Sequence, residues 1–140
     1  MLAVGGHVLG NLAPSIVRMT TGFAGGVGGT KQEMCGALSA GVMIIGALHG
    51  RSSLEEDSEP ARQLATRYRE RFVAELGATH CNTLYEQVHA LGGLGSCSSV
   101  VERAAGILLE LVRCREGGAE QMGLDARAKR GEKATCRTTF

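Results

Sequence analysis

A chain of 140 residues and 14.6 kDa has room for one domain with a modest core. Fifteen Lys and Arg against 14 Asp and Glu leave a net charge of +1, which gives no electrostatic footprint for nucleic acid or a membrane surface. An apolar fraction of 44% excludes disorder, and 4% aromatics without tryptophan suits closely packed helices better than aromatic-rich strands.

Leu9, Leu12, Ile16 and Met19 recur at helical spacing and predict a first helix over residues 2–20. Gly5, Gly6 and Gly10 weaken its early part, and Pro14 starts or kinks it. "MLAVGGHVLGNLAPSIVRM" lacks the basic start and cleavage site of a signal peptide, so reduced thiols and a cytoplasmic location are expected. Residues 22–29 read as a glycine-rich loop. Thr30-x-x-Glu33 has the capping-box pattern and predicts a second helix from Thr30 to His49, stopped by Gly50. "MCGALSAGVMIIGALHG" is uncharged but shorter than the roughly 20 residues of a span, which favours a buried helix.

Pro60 predicts the first turn of a third helix, capped by Asp57 or Ser58 and ended by Gly77. Its apolar stripe is Ala61, Leu64, Ala65, Tyr68, Phe72 and Leu76, with Arg62, Arg67, Arg69 and Arg71 on solvated faces. A fourth helix from Thr79 carries Leu84, Val88 and Leu91, and "GGLGS" breaks it. The fifth starts at Ser96 and places Val100, Val101, Ala104, Leu108, Leu111 and Val112 on one side. Residues 1–115 thus form an all-α compact bundle of about five helices, with the glycine-rich loop before the second. Residues 116–140, polar and without apolar period, read as a flexible or loosely docked C-terminal tail.

Five cysteines, without a C-x-x-C pair or a haem-attachment motif, are the chemical signal. Cys35, Cys81 and Cys97 fall near predicted helix starts, where unpaired amides and the macrodipole favour a thiolate. Such thiols serve as nucleophiles, redox centres or metal ligands; the plainer alternative is that they pack as small hydrophobes. Cys114 sits at a helix C-terminus and Cys136 in the tail, both as bystanders. "GFAGGVGG" fails the phosphate-loop spacing, because the order is Gly29-Thr30-Lys31, and it fails G-x-G-x-x-G as well. Gly25, Gly26, Gly28 and Gly29 still permit close approach, so they are candidates for contacting a cofactor. His7, His49 and His80 are candidate metal ligands, with His80 beside Cys81 the most suggestive, yet no spacing identifies a zinc site.

"GFAGGVGGTKQEMCGALSAGVMIIGALHGR" resembles the signature of the C-GCAxxG-C-C family of redox-active proteins, through Cys35-Gly36-Ala37-Leu38-Ser39, Gly41 and Gly46. Phe72, Glu75, Gly77, Cys81 and Leu84 fit the later landmarks, as do Cys97, Val100, Val101, Ala104 and Ala105. The resemblance covers most of residues 10–112. It implies a small helical protein whose cysteines Cys35, Cys81 and Cys97 converge for redox or metal chemistry, with an iron–sulfur cluster as the candidate cofactor. A family cysteine that precedes the glycine segment has no counterpart here, where "GNLAPSIV" offers Leu12. Three thiolates then remain for a cluster completed by a histidine or a non-protein ligand, or two for a disulfide with one over.

Two functions follow as expectations. The first is a thiol-based redox or metal-binding protein with an unidentified redox partner. The second is a non-catalytic helical assembly module, a homodimer packed through Gly36, Ala40, Gly41, Ala47 and Gly50. A third, smaller one is an anion or ligand site at the glycine loop.

Overall fold

The computed structural model describes the backbone of residues 2–125 and the side chains of residues 4–114. Within them lie six helices: α1 (Leu2–Val8), α2 (Pro14–Thr21), α3 (Gly36–His49), α4 (Glu59–Leu76), α5 (Cys81–His89) and α6 (Cys97–Asp125). The expected single first helix is two, because Gly10 takes a φ of 73° and the chain turns before Pro14 opens α2. The glycine loop consequently precedes the third helix.

The core is the mutual packing of α3, α4 and α6. Leu38, Ile44 and Ile45 from α3 meet Leu64, Tyr68, Phe72 and Leu76 from α4. Val100, Ala104, Ile107, Leu108, Leu111 and Val112 close it from α6, and Leu84 and Val88 add the inner face of α5. The expected stripes on α4 and α6 are these faces, with two departures: Val101 stands 52% exposed, and Ile107 joins the core. Tyr68 sits at the centre. Its hydroxyl lies 3.4 Å from the Ala37 carbonyl oxygen and 3.3 Å from that of Ala104, so one ring touches all three core helices. Burial, and then the neighbouring Cys35 thiol, push that phenol far above its ordinary ionisation range, so it remains a donor.

Local signals set several boundaries where expected. Asp57 Oδ1 accepts the Glu59 amide at 2.8 Å, Pro60 lies in the first turn of α4, and Gly77 ends it at φ 84°. The start of α3 differs. Thr30 does not cap a helix: its hydroxyl donates back to the carbonyls of Gly26 and Val27, at 2.6 and 2.9 Å. Side chains of this type compete for nearby backbone, and here the glycine loop wins the hydroxyl. The helix begins six residues later at Gly36, with Cys35 at the N-cap. At the other end, α6 continues through Asp125, beyond the helix end expected near Cys114. Residues 126–140 of the expected tail, with Cys136, lie outside the described residues.

Candidate functional site

Each motif cysteine opens a helix. Cys35 is the N-cap residue of α3, Cys81 the first residue of α5 and Cys97 the first residue of α6. Two of these starts are tied together by backbone. Met34 and His80 form an antiparallel bridge, the Cys35 amide donates to the Thr79 carbonyl (2.8 Å), and the Cys81 amide to the Glu33 carbonyl (2.9 Å). The Asn82 amide donates to the Lys31 carbonyl at 2.9 Å. The segment before α3 thus supplies acceptors to amides at the N-terminus of α5 that have no partner within the helix.

The glycine loop shapes the floor of this arrangement. Gly25, Gly26, Val27, Gly28 and Gly29 all take φ between 60° and 78°, a left-handed turn closed by the Gly28 amide on Gly22 O and the Lys31 amide on Gly25 O. Such a turn costs an L-residue roughly 1–2 kcal/mol, which explains four glycines in five positions and marks Val27 as the strained member. Gly26 is buried against the site, where an added Cβ would lie 2.6 Å from the Cys81 Cβ and 2.9 Å from the Lys31 Cα. At Gly36 a Cβ would lie 2.8 Å from the Phe23 carbonyl oxygen, so the loop also lies directly on the start of α3.

Cys35, Cys81 and Cys97 line one cavity of about 410 Å³, sharing it with Gly25, Ala37, Leu84, Tyr85, Val100 and Val101. Thr20 and Thr21 from α2 form its polar margin. The cysteines differ in access: Cys97 is exposed, Cys35 half-buried and Cys81 buried, and all are thiols. Cys114 is exposed and is not among the lining residues.

The expectation of a favoured thiolate at each helix start needs correction at Cys81. Burial pushes its thiol above the ordinary value of 9.0, and the neighbouring Cys35 and Cys97 add to the rise, against a smaller lowering by Lys31. The helix start offers little to offset burial, because the first amides of α5 are already taken by the Glu33 and Lys31 carbonyls. The thiol form is the folded protein's preferred form, so Cys81 contributes stability below its unfolded value, lost as pH rises through the raised one. Peptide-resolved alkylation with iodoacetamide across an alkaline pH series should therefore show the Cys81 rate curve displaced upward relative to the denatured chain. A downward displacement would contradict burial as the controlling influence.

The other expected site residues divide. Gly25 lines the cavity, Gly26 spaces Cys81 from the loop, and Gly28 and Gly29 face open space. His80 stands apart: its Nε2 is 2.8 Å from the Gln32 carbonyl oxygen, and it lines a separate depression with Thr30, Lys31, Gln32 and Asn82. Among the described residues, no group of three His, Cys, Asp or Glu side chains is placed to hold a metal ion. Sequence reasoning overlooked Tyr85, which lines the cavity and carries the Lys31 ammonium 3.4 Å from its ring centre. The available signal was spacing: Tyr85 follows Cys81, and Val101 follows Cys97, by the four residues that share a helix face.

An all-helical domain with three thiols on the wall of one cavity defines the class. A family model described as "Putative redox-active protein (C_GCAxxG_C_C)" matches residues 1–111. The chain belongs to that family. No curated protein and no solved structure matches it. Among the described residues, no helix is long and apolar enough to cross a membrane.

Proposed function

We propose that the protein exchanges electrons through a dithiol–disulfide couple formed by Cys97 and Cys35. The observation that carries this reading is the meeting of three thiols from three helix starts on one cavity wall. Cys97, the most accessible of the three, attacks one sulfur of a partner disulfide as its thiolate. A mixed disulfide forms and the first partner thiolate leaves. Cys35 then attacks Cys97 Sγ, the internal disulfide forms, and the second partner thiolate leaves with the remaining thiol proton. Two electrons pass from the protein to the partner, and the reverse sequence reduces the protein. Cys81 is the third thiol. Burial and the carbonyls over its helix start keep it protonated, which unsuits it to attack.

The same three sulfurs are those an iron–sulfur cluster would need, but they are not placed as a metal-holding group among the described residues. A protein-borne fourth ligand is less supported, because His80 is turned to the Gln32 carbonyl outside the cavity. The assembly-module reading has less to rest on too. Two of its small residues are used within the chain, Gly41 beneath the Tyr68 ring and Gly36 beneath Phe23.

Anaerobically purified protein, titrated with the linear disulfide bis(2-hydroxyethyl) disulfide and mapped by mass spectrometry, should lose two hydrogens and yield a Cys35–Cys97 cross-linked peptide. Cys35→Ser should abolish the cross-link with the helical spectrum unchanged, and Cys81→Ser should retain it. Stoichiometric iron and acid-labile sulfide in the purified protein would replace this reading with the cluster. Retention of all redox exchange in Cys35→Ser would remove the assigned pairing.

A further inference from the structure

The cavity carries information about what reaches the thiols. Its lining comes from α2, the glycine loop, α3, α5 and α6, and no lining residue is an acid, a lysine, an arginine or a histidine. Ala24, Ala37, Ala40, Leu84, Val100 and Val101 supply an aliphatic wall, and Tyr85 an aromatic one. The volume of about 410 Å³ falls within the roughly 300–1,000 Å³ of small-molecule pockets. Besides the three thiols and the Tyr85 phenol, side-chain polar groups stand at one margin. There the Thr20 hydroxyl donates to the Val17 carbonyl at 2.8 Å, which leaves its oxygen as an acceptor, and the exposed Thr21 hydroxyl stands beside it. Lys31 is not itself a lining residue; its ammonium is engaged 3.4 Å from the ring centre of Tyr85. A charged ligand group entering here would give up water with no charged side chain among the described lining residues to meet it, the Lys31 ammonium being already paired with the Tyr85 ring.

We propose that the cavity selects a small, neutral, predominantly apolar organic disulfide as the reaction partner of the Cys97–Cys35 couple. This rests on the dithiol reading above and names the partner's class. The apolar body lies against Leu84, Val100 and Val101, with one hydroxyl or amide group at Thr20 and Thr21. Bound there, its sulfur–sulfur bond lies along the wall that carries the cysteines. The bond is broken in two exchange steps, giving two neutral thiols and the protein disulfide. Charged low-molecular-weight disulfides, such as those of acidic peptides, are disfavoured by desolvation.

Two aromatic disulfides, one neutral and one dianionic, test this. Dithiodipyridine is neutral at neutral pH, and dithiobis(nitrobenzoate) is a dianion. Rates of oxidation of Cys97 are measured for both in the folded chain and normalised to the urea-unfolded chain. The folded protein should favour the neutral reagent by at least about tenfold over the unfolded chain, because only the folded wall excludes the dianion. Val101→Phe, a substitution on a half-exposed wall, should shrink that preference several-fold by filling the cavity. A preference for the dianion, or none, overturns the proposal and implicates Lys31 instead.

Octan-1-ol, which reacts with no thiol, separates the two readings. Saturable amide shifts at Ala37, Leu84 and Val101 in reduced protein support the pocket whether or not a disulfide forms. Absence of those shifts, with Cys35–Cys97 exchange intact, sinks the pocket and spares the redox couple. Octanol binding without any internal disulfide does the reverse.

Discussion

Replacing Gly41 by valine should lower the melting temperature of the reduced protein by about 10 °C, the largest loss expected from any single glycine in the core helices. Gly41 is buried in the middle of α3, and a Cβ there would collide with Cε1, Cζ and the hydroxyl of Tyr68. The ring cannot swing aside. It is 1% exposed, stacks edge-on against Phe72 with centroids 6.2 Å apart, and is held between the Ala37 and Ala104 carbonyls. Helix propensity favours the substitution by less than about 1 kcal/mol, whereas overpacking a rigid core costs about 1–3 kcal/mol and more when backbone must move. The collision therefore decides the sign. Gly46, five residues on in the same helix, has nothing within 4 Å of its virtual Cβ, so Gly46→Ala should stabilise by up to about 1 kcal/mol. Thermal unfolding of Gly41→Val, Tyr68→Ala and the double variant completes the test. The double variant should be clearly more stable than the sum of single losses predicts, because removing the ring removes the obstacle. Strict additivity would mean that Tyr68 is not what the glycine accommodates.

The second large effect falls on the site. Gly26→Ala should destabilise by about 2–4 kcal/mol, combining left-handed strain of about 1–2 kcal/mol with overpacking of similar size. Its φ is 70°, and the added methyl would press on the Cys81 Cβ and the Lys31 backbone, neither of which is a flexible side-chain end. The loop must lift from α5 to relieve it. The Lys31 carbonyl then loses the Asn82 amide, and Cys81 becomes more accessible. Gly28→Ala is the control: its φ is 62°, but nothing lies within 4 Å, so only the backbone strain is felt. Peptide-resolved alkylation should show Cys81 modified several-fold faster in Gly26→Ala than in Gly28→Ala, at temperatures where both remain folded. Equal Cys81 rates in the two variants would show that the loop does not guard the thiol.

These two glycines also mark the limit of local reading. That residues 25–29 form a turn is visible from glycine frequency; that Gly26 spaces a cysteine and Gly28 faces open space is not, since both sit in the same G-x-G. Likewise Thr30-x-x-Glu33 matched a capping box, yet the threonine hydroxyl was drawn to carbonyls that only the left-handed turn brings within reach. His80, adjacent to Cys81 in sequence, points to Gln32, because the bridge at Met34 places that carbonyl beside it.

The sequence by itself determined the helical class, the stripes of α4 and α6, the ends of α4 at Pro60 and Gly77, and the position of three cysteines near helix starts. Those features depend on interactions within about one helical turn, where spacing and caps decide. The tertiary structure alone decided that the three starts share a cavity, that carbonyls of the preceding segment occupy the amides at Cys81, and that the cavity wall is uncharged. Each of those requires segments far apart in the chain to meet, and burial then overrides the helix dipole that a local reading assigns to Cys81.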